Sequence, residues 1–90
     1  MLLRSLVGHL DQINCLTVWE GFEMLIISGS SDRTIRVFDI VTGDCLCILV
    51  GHTDSVLSLT VADYDDPKLV SCAEDLSLMQ WSLFDIIEEF

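Results

Sequence analysis

Short apolar runs rich in Val, Ile, Leu and Thr recur along the chain, separated by Gly, Asp, Ser or Pro at intervals of about 10 residues. That spacing predicts a β-meander. Strands are expected at about Ile13 to Val18, Met24 to Ser28, Thr34 to Asp39 and Asp44 to Val50, then near Ser55 to Ala62, Leu69 to Cys72 and Ser77 to Ser82. The stretch Thr34-Ile35-Arg36-Val37-Phe38 alternates polar and apolar residues, as a strand buried on one face does. Leu25-Ile26-Ile27 does not alternate, which predicts an inner strand covered on both faces. Ser30-Ser31-Asp32-Arg33 and Val41-Thr42-Gly43-Asp44 read as hairpin turns, Gly43 being able to supply a positive φ.

The pattern repeats. Gly8-His9-Leu10-Asp11 returns 43 residues later as Gly51-His52-Thr53-Asp54, and the same offset carries Leu16-Thr17-Val18 onto Leu59-Thr60-Val61. Ser28 falls on Ser71, Asp32 on Asp75 and Phe38 on Trp81, with no gap between these landmarks. Two copies of one supersecondary unit therefore fill most of the chain. The final segment departs from the repeat: Ser82 to Phe90 lacks the glycine turn that Gly43 supplies in the first copy. Leu83, Ile86, Ile87 and Phe90 fall instead at helical spacing, and Ser82 with Asp85 resembles a capping box. A short amphipathic helix is expected there, with a frayed tail or an irregular outer strand as the alternative.

These residues resemble the WD40 β-propeller repeat. The resemblance rests on Gly8-His9, on Ser28-Gly29-Ser30-Ser31-Asp32-Arg33-Thr34-Ile35-Arg36-Val37-Phe38-Asp39, and on the second Gly51-His52 with Asp75 and Trp81. It spans roughly residues 2 to 82, and it implies an all-β fold of two four-stranded antiparallel blades, an incomplete propeller, with a possible short C-terminal helix. Residues 1–7 would be the outer strand of a preceding or closing blade, 8–50 the first repeat, 51–82 a second repeat lacking a clear outer strand, and 83–90 an acidic and apolar extension.

In that family a His, a Ser or Thr, an Asp and a Trp of each repeat form a buried hydrogen-bonded chain. The resemblance carries this role onto His52, Ser71, Asp75 and Trp81, and in the first copy onto His9, Ser28 and Asp32. An indole N–H only donates, a hydroxyl and an imidazole do both, and a carboxylate accepts, so such a chain strands no buried polar group. Phe38 has no N–H, which predicts a first network shorter by one bond. The same residue types could suggest a Ser-His-Asp hydrolase, but two equivalent sets at the repeat period point to architecture, and no G-x-S-x-G elbow is present. No enzyme is expected.

Metal sites fare no better. Counted as an EF-hand loop, Asp63 to Glu74 places Pro67 and Lys68 where an oxygen ligand and a glycine are required. Cys45 and Cys47 with His52 could pair on a metal, yet two residues of one strand face fit packing equally well. No cofactor is called for. The cysteines, Cys15, Cys45, Cys47 and Cys72, lie in strand-like runs without C-x-x-C spacing and read as reduced core residues of an intracellular protein, cytoplasmic or nuclear.

Composition narrows the partners. Fifteen acidic residues against four basic ones give a net charge of −11 over 90 residues, so a phosphate-binding surface would lack cations and nucleic acid is not an expected partner. No apolar run approaches the roughly 20 residues of a membrane span, and Met1 to Val7 is too short for a secretory signal. The resemblance then implies a non-catalytic interaction scaffold that docks a protein or peptide on the face near the start of each blade's first strand and its second turn. By motif position those sites are Gln12, Asn14 and Ser31 in the first copy and Ser55, Leu57 and Glu74 in the second. Two blades do not close a ring, so the remaining blades or other copies of the chain are further expected partners. A self-assembling subunit that completes a propeller is the alternative function.

Overall fold

The computed structural model describes residues 2–21, 24–62 and 65–88. Its first sheet is a four-stranded meander of β1 (Ile13–Glu20), β2 (Met24–Ser30), β3 (Thr34–Asp39) and β4 (Cys45–Val50). The second has three strands, β5 (Val56–Ala62), β6 (Lys68–Ala73) and β7 (Leu78–Ser82), and a helix α1 (Leu83–Glu88) follows. All neighbouring strands are antiparallel. The chain is thus all-β, two propeller-type blades with one short helix.

The repeat offset is reproduced in the register. Leu16 pairs with Ser28 and Leu59 with Ser71, and the irregularity between Ile13 and Cys15 recurs between Val56 and Ser58. Alternation then sorts side chains by face. Trp19, Leu25, Ile27, Ile35 and Val37 of the first sheet meet Val56, Leu59 and Leu69 of the second in one core, with β1 and β2 lying against β5. Each such side chain, fully buried, contributes roughly 1.5–3 kcal/mol of hydrophobic stabilisation.

The turns follow the repeat too. Arg33 and Leu76, 43 residues apart, both take a positive φ, of 74° and 67°, and Gly43 takes the left-handed conformation at 81°. At the C-terminal end Ser82 Oγ accepts a bond from the Asp85 N–H at 3.3 Å, which caps α1. Leu83 and Ile86 of the helix enter the core. The helix stands where the turn between β3 and β4, from Ile40 to Asp44, stands in the first repeat; the side chains of Ile87 and Phe90 lie outside the described residues.

The structure adds detail to three expectations. Residues 2–7, part of the segment read as the outer strand of a preceding or closing blade, pair with neither sheet here. Leu3, Arg4 and Leu6 instead lie along the outer face of the first sheet, beside Ile26 and Ile40. Ile26 is half-buried, whereas Leu25 and Ile27 on one face and Ser28 and Ser30 on the other are buried, so β2 is covered on both faces except at Ile26. The cysteines are not uniformly core residues: Cys15, Cys47 and Cys72 are half-buried and Cys45 is exposed. A register irregularity opposite Val37 and Phe38 turns Cys47 to the core and Cys45 away from it, so the two do not share a face.

Candidate functional site

His9 and His52 each precede the first strand of a blade, and each reaches over it to the second strand and the following turn. In the second blade His52 Nε2 lies 2.7 Å from Ser71 Oγ, and Trp81 Nε1 donates to that same oxygen at 2.9 Å. On the other side of the ring, His52 Nδ1 lies 3.3 Å from Asp75 Oδ2 and 3.1 Å from Ser77 Oγ. The chemistry sets the direction of the chain. Asp75 accepts from Nδ1–H, so Nε2 of a neutral imidazole accepts from the Ser71 hydroxyl, which in turn accepts from the indole.

The first blade repeats this with one partner fewer. His9 Nε2 lies 2.7 Å from Ser28 Oγ and His9 Nδ1 3.0 Å from Asp32 Oδ2. Phe38 stands where Trp81 stands and brings no donor. Reading the sequence missed two members: the hydroxyls of Thr34 and Ser77 donate to Oδ1 of Asp32 and Asp75. The signal was available, since Thr34 falls on Ser77 at the same 43-residue offset. The N–H groups of Leu10 and Thr53 add a further bond to each carboxylate, at 3.0 and 2.9 Å.

These contacts set the charge of the two carboxylates. Burial pushes Asp32 up, but the bonds from the Thr34 hydroxyl, the Leu10 N–H, His9 and the Thr34 N–H outweigh it and hold the carboxyl well below its usual range. Asp75 is likewise held low by the Ser77 hydroxyl and the Thr53 N–H, against a smaller opposing effect of burial. A carboxyl whose folded pKa is depressed adds stability that is complete above its unfolded value, near about 4, and is lost as the pH falls through the folded value. The melting temperature should therefore drop as the pH is lowered below about 4. In thermal melts from pH 7 downward, Asp32→Asn and Asp75→Asn should start lower and fall less steeply; slopes parallel to wild type would show that these carboxylates are not responsible.

The six predicted partner-facing residues gather at one edge, where β1 and β5 begin and the β2–β3 and β6–β7 turns lie. Backbone bonds join the two parts of each half: Ser31 N donates to Gln12 O at 2.9 Å and Glu74 N to Ser55 O at 3.0 Å. Gln12, Leu57 and Glu74 are exposed, and Ser31 and Ser55 are half-exposed. Asn14, though exposed, is already committed: its Nδ2 donates to Ser31 Oγ and to Val56 O, both at 3.0 Å, linking one blade to the next. Among the described residues no group of three or more His, Cys, Asp or Glu side chains stands ready to hold a metal, and no helix is long and apolar enough to cross a membrane. The loop counted from Asp63 starts outside the described residues.

Comparison with known proteins places this geometry. The chain is 35% identical over 85 residues to the Polycomb group protein FIE1 of Oryza sativa subsp. japonica, covering 91% of this chain and 23% of that protein. It is 41% identical over 81 residues to the nuclear distribution protein PAC1 of Ajellomyces capsulatus, covering 86% and 17%. Cell division control protein 4 of Saccharomyces cerevisiae is 33% identical over 79 residues, covering 88% and 10%. The chain thus spans less than a quarter of the length of these relatives. Among solved structures, the computationally designed Ika4 protein matches with a TM-score of 0.78 and 34% identity over 92% of this chain and 48% of that one. The designed Ika8 protein matches at 0.75 and 34%, over 88% and 23%. The family of the WD domain, G-beta repeat, WD40, matches residues 1–39 and 43–82, so this chain belongs to the WD40 repeat family, whose members generally act as protein-interaction scaffolds without catalysing a reaction.

Proposed function

We propose that the two blades form part of a non-catalytic scaffold that docks a protein or peptide segment along the edge carrying Gln12, Ser31, Ser55, Leu57 and Glu74. One observation carries this reading. Both blades present the start of their first strand beside their second turn at the same edge, each pair joined by a backbone hydrogen bond. The result is a row of uncharged polar groups, one exposed leucine and one carboxylate on rigid supports. Such a mixture suits a peptide, whose backbone supplies donors and acceptors and whose side chains supply an apolar anchor and a cation. The hydroxyls of Ser28 and Ser71 are buried and already bonded, so the reading assigns them to support rather than to nucleophilic attack. The names of the relatives, Polycomb group and nuclear distribution proteins, support a setting in the nucleus or cytoplasm.

A displayed peptide library selected against the immobilised chain tests this. Peptides so obtained should lose binding to Leu57→Arg and Glu74→Arg, keep binding to Thr42→Arg in the opposite turn, and leave the melting temperature unchanged. Asn14 is a poor probe because its substitution also breaks the link to Val56. Selected peptides indifferent to the two edge substitutions would sink the assignment.

A further inference from the structure

Trp19 breaks the repeat. Thr17, Val18 and Trp19 fall on Thr60, Val61 and Ala62 at the 43-residue offset, so both copies carry Thr-Val and only the first goes on to an indole. That indole is firmly held. It is 3% exposed within the core that the two blades share, and Gly21 packs on its ring so closely that a Cβ there would lie 2.1 Å from Trp19 Cζ2 and 2.5 Å from Cε2. Its Nε1–H is nevertheless buried with no hydrogen-bond partner among the described residues. The other indole has what this one lacks, since Trp81 Nε1 donates to Ser71 Oγ at 2.9 Å. A buried donor left open in this way marks the place of a group that the chain does not itself supply.

Trp19 also lines a recess of about 400 Å³ between β1 and β5, together with Thr17, Val18, Glu20, Thr60 and Val61. Both strands are edge strands of their sheets and pair on one side only, so backbone N–H and C=O groups remain open along their free edges. Thr17 lies two residues before Trp19 and therefore on the same face of β1, where its hydroxyl can donate or accept. No cation lines the recess, and the Glu20 carboxylate stands at it in a chain of net charge −11, which selects against an anionic acceptor. The recess is also remote from the turn-bearing edge. At roughly 3.3 Å per strand residue, Trp19 stands about 20 Å along β1 from Gln12.

The geometry points to a binding site for a neutral carboxamide in this recess. The amide oxygen accepts from Trp19 Nε1–H, and the amide N–H donates to the Thr17 hydroxyl. An amide presents an uncharged acceptor and a donor on neighbouring atoms, which matches a donor-only indole beside a hydroxyl that does both. The group belongs to a partner protein, in a peptide bond or in the side chain of Asn or Gln, and the two sources share one chemistry. The site is built from residues of both blades at the other end of β1 from the edge proposed to dock a peptide, and it stands whether or not that edge binds one.

Proton–nitrogen correlation spectra of the isotope-labelled full chain test this directly, because each tryptophan gives its own indole N–H signal. Trp81→Phe assigns the pair by the loss of one, Phe38 showing that the repeat accepts phenylalanine there. The probes are N-methylacetamide for a peptide bond, propanamide for an Asn or Gln side chain, and acetate for an anion. The Trp19 indole proton should move downfield to saturation with at least one amide, while that of Trp81, already bonded to Ser71, stays in place; the amide that binds more tightly identifies the source. Thr17→Val should weaken binding roughly two- to tenfold, the loss of one hydrogen bond, and Thr17→Ser should keep it. A Trp19 signal that neither amide moves, or that drifts without saturating, would mean a recess filled by solvent alone and overturn the proposal. Acetate binding as tightly as the amides would overturn the choice of a neutral ligand, and equal affinity of Thr17→Val and the unmodified chain would overturn the pairing with Thr17.

Discussion

Ser71→Ala is expected to lower the unfolding free energy by about 2–4 kcal/mol, and Ser28→Ala by about 1–2 kcal/mol. The two serines occupy the same place in their repeats, and both lie 2.7 Å from a histidine Nε2. They differ in what else depends on them. Ser71 Oγ also accepts from Trp81 Nε1 at 2.9 Å, whereas Phe38 asks nothing of Ser28. Alanine at 71 strands an imidazole nitrogen and an indole N–H; alanine at 28 strands an imidazole nitrogen only. A buried donor or acceptor without a partner costs about 1–3 kcal/mol, so the second loss should be roughly half the first. Urea denaturation at neutral pH measures both. Equal losses would mean that the indole bond contributes nothing, and an unchanged midpoint joined to loss of a hydrolytic activity would reverse the structural reading of these serines altogether.

Much of this was legible because each repeat corrects the other. The Gly-His and Asp landmarks at one offset located both blades, and the strands followed from turn residues and apolar runs. Ser82 and the helical spacing of Leu83 and Ile86 marked α1 for the same reason: the cap and the buried stripe are local signals. What was not legible depends on non-local partners. Leu2 to Leu6 reads as a strand, but a strand exists only where a second edge accepts its hydrogen bonds, and these residues pair with neither sheet. The run Leu25-Ile26-Ile27 reads as buried on both sides; how far Ile26 is covered depends on whether a further sheet stacks on it.

Within the site, Thr34 and Ser77 were missed because each acts two residues beyond its aspartate, where a small hydroxyl also reads as an ordinary strand residue. Asn14 shows the opposite failure. Motif position marks it as free to meet a partner, yet its amide is spent on Ser31 and on the carbonyl of Val56, 42 residues away. Only coordinates reveal such a commitment, because nothing in the local sequence says which carbonyl will be left open by the bulge beside Val56.

The contact between the blades should be a second sensitive point. Gly29 is the next-to-last residue of β2, with the Val56 side chain pressed onto its backbone; a Cβ there would stand 2.5 Å from Val56 Cγ1 and 2.8 Å from Cys15 Sγ. Both distances are too short for an alanine to be absorbed by side-chain rotation, because Val56 has no exposed surface and a β-branched side chain has few rotamers. Gly29→Ala should therefore destabilise by about 1–3 kcal/mol through overpacking, even though alanine is the better strand residue in isolation. Val56→Ala alone should cost about 1.5–3 kcal/mol, the burial it forfeits. The two together should cost less than their sum, by roughly 0.5–3 kcal/mol, because the second substitution opens the space that the first one needs. Denaturant unfolding of the four proteins measures this coupling. Strict additivity would mean that the sheets do not meet at Gly29.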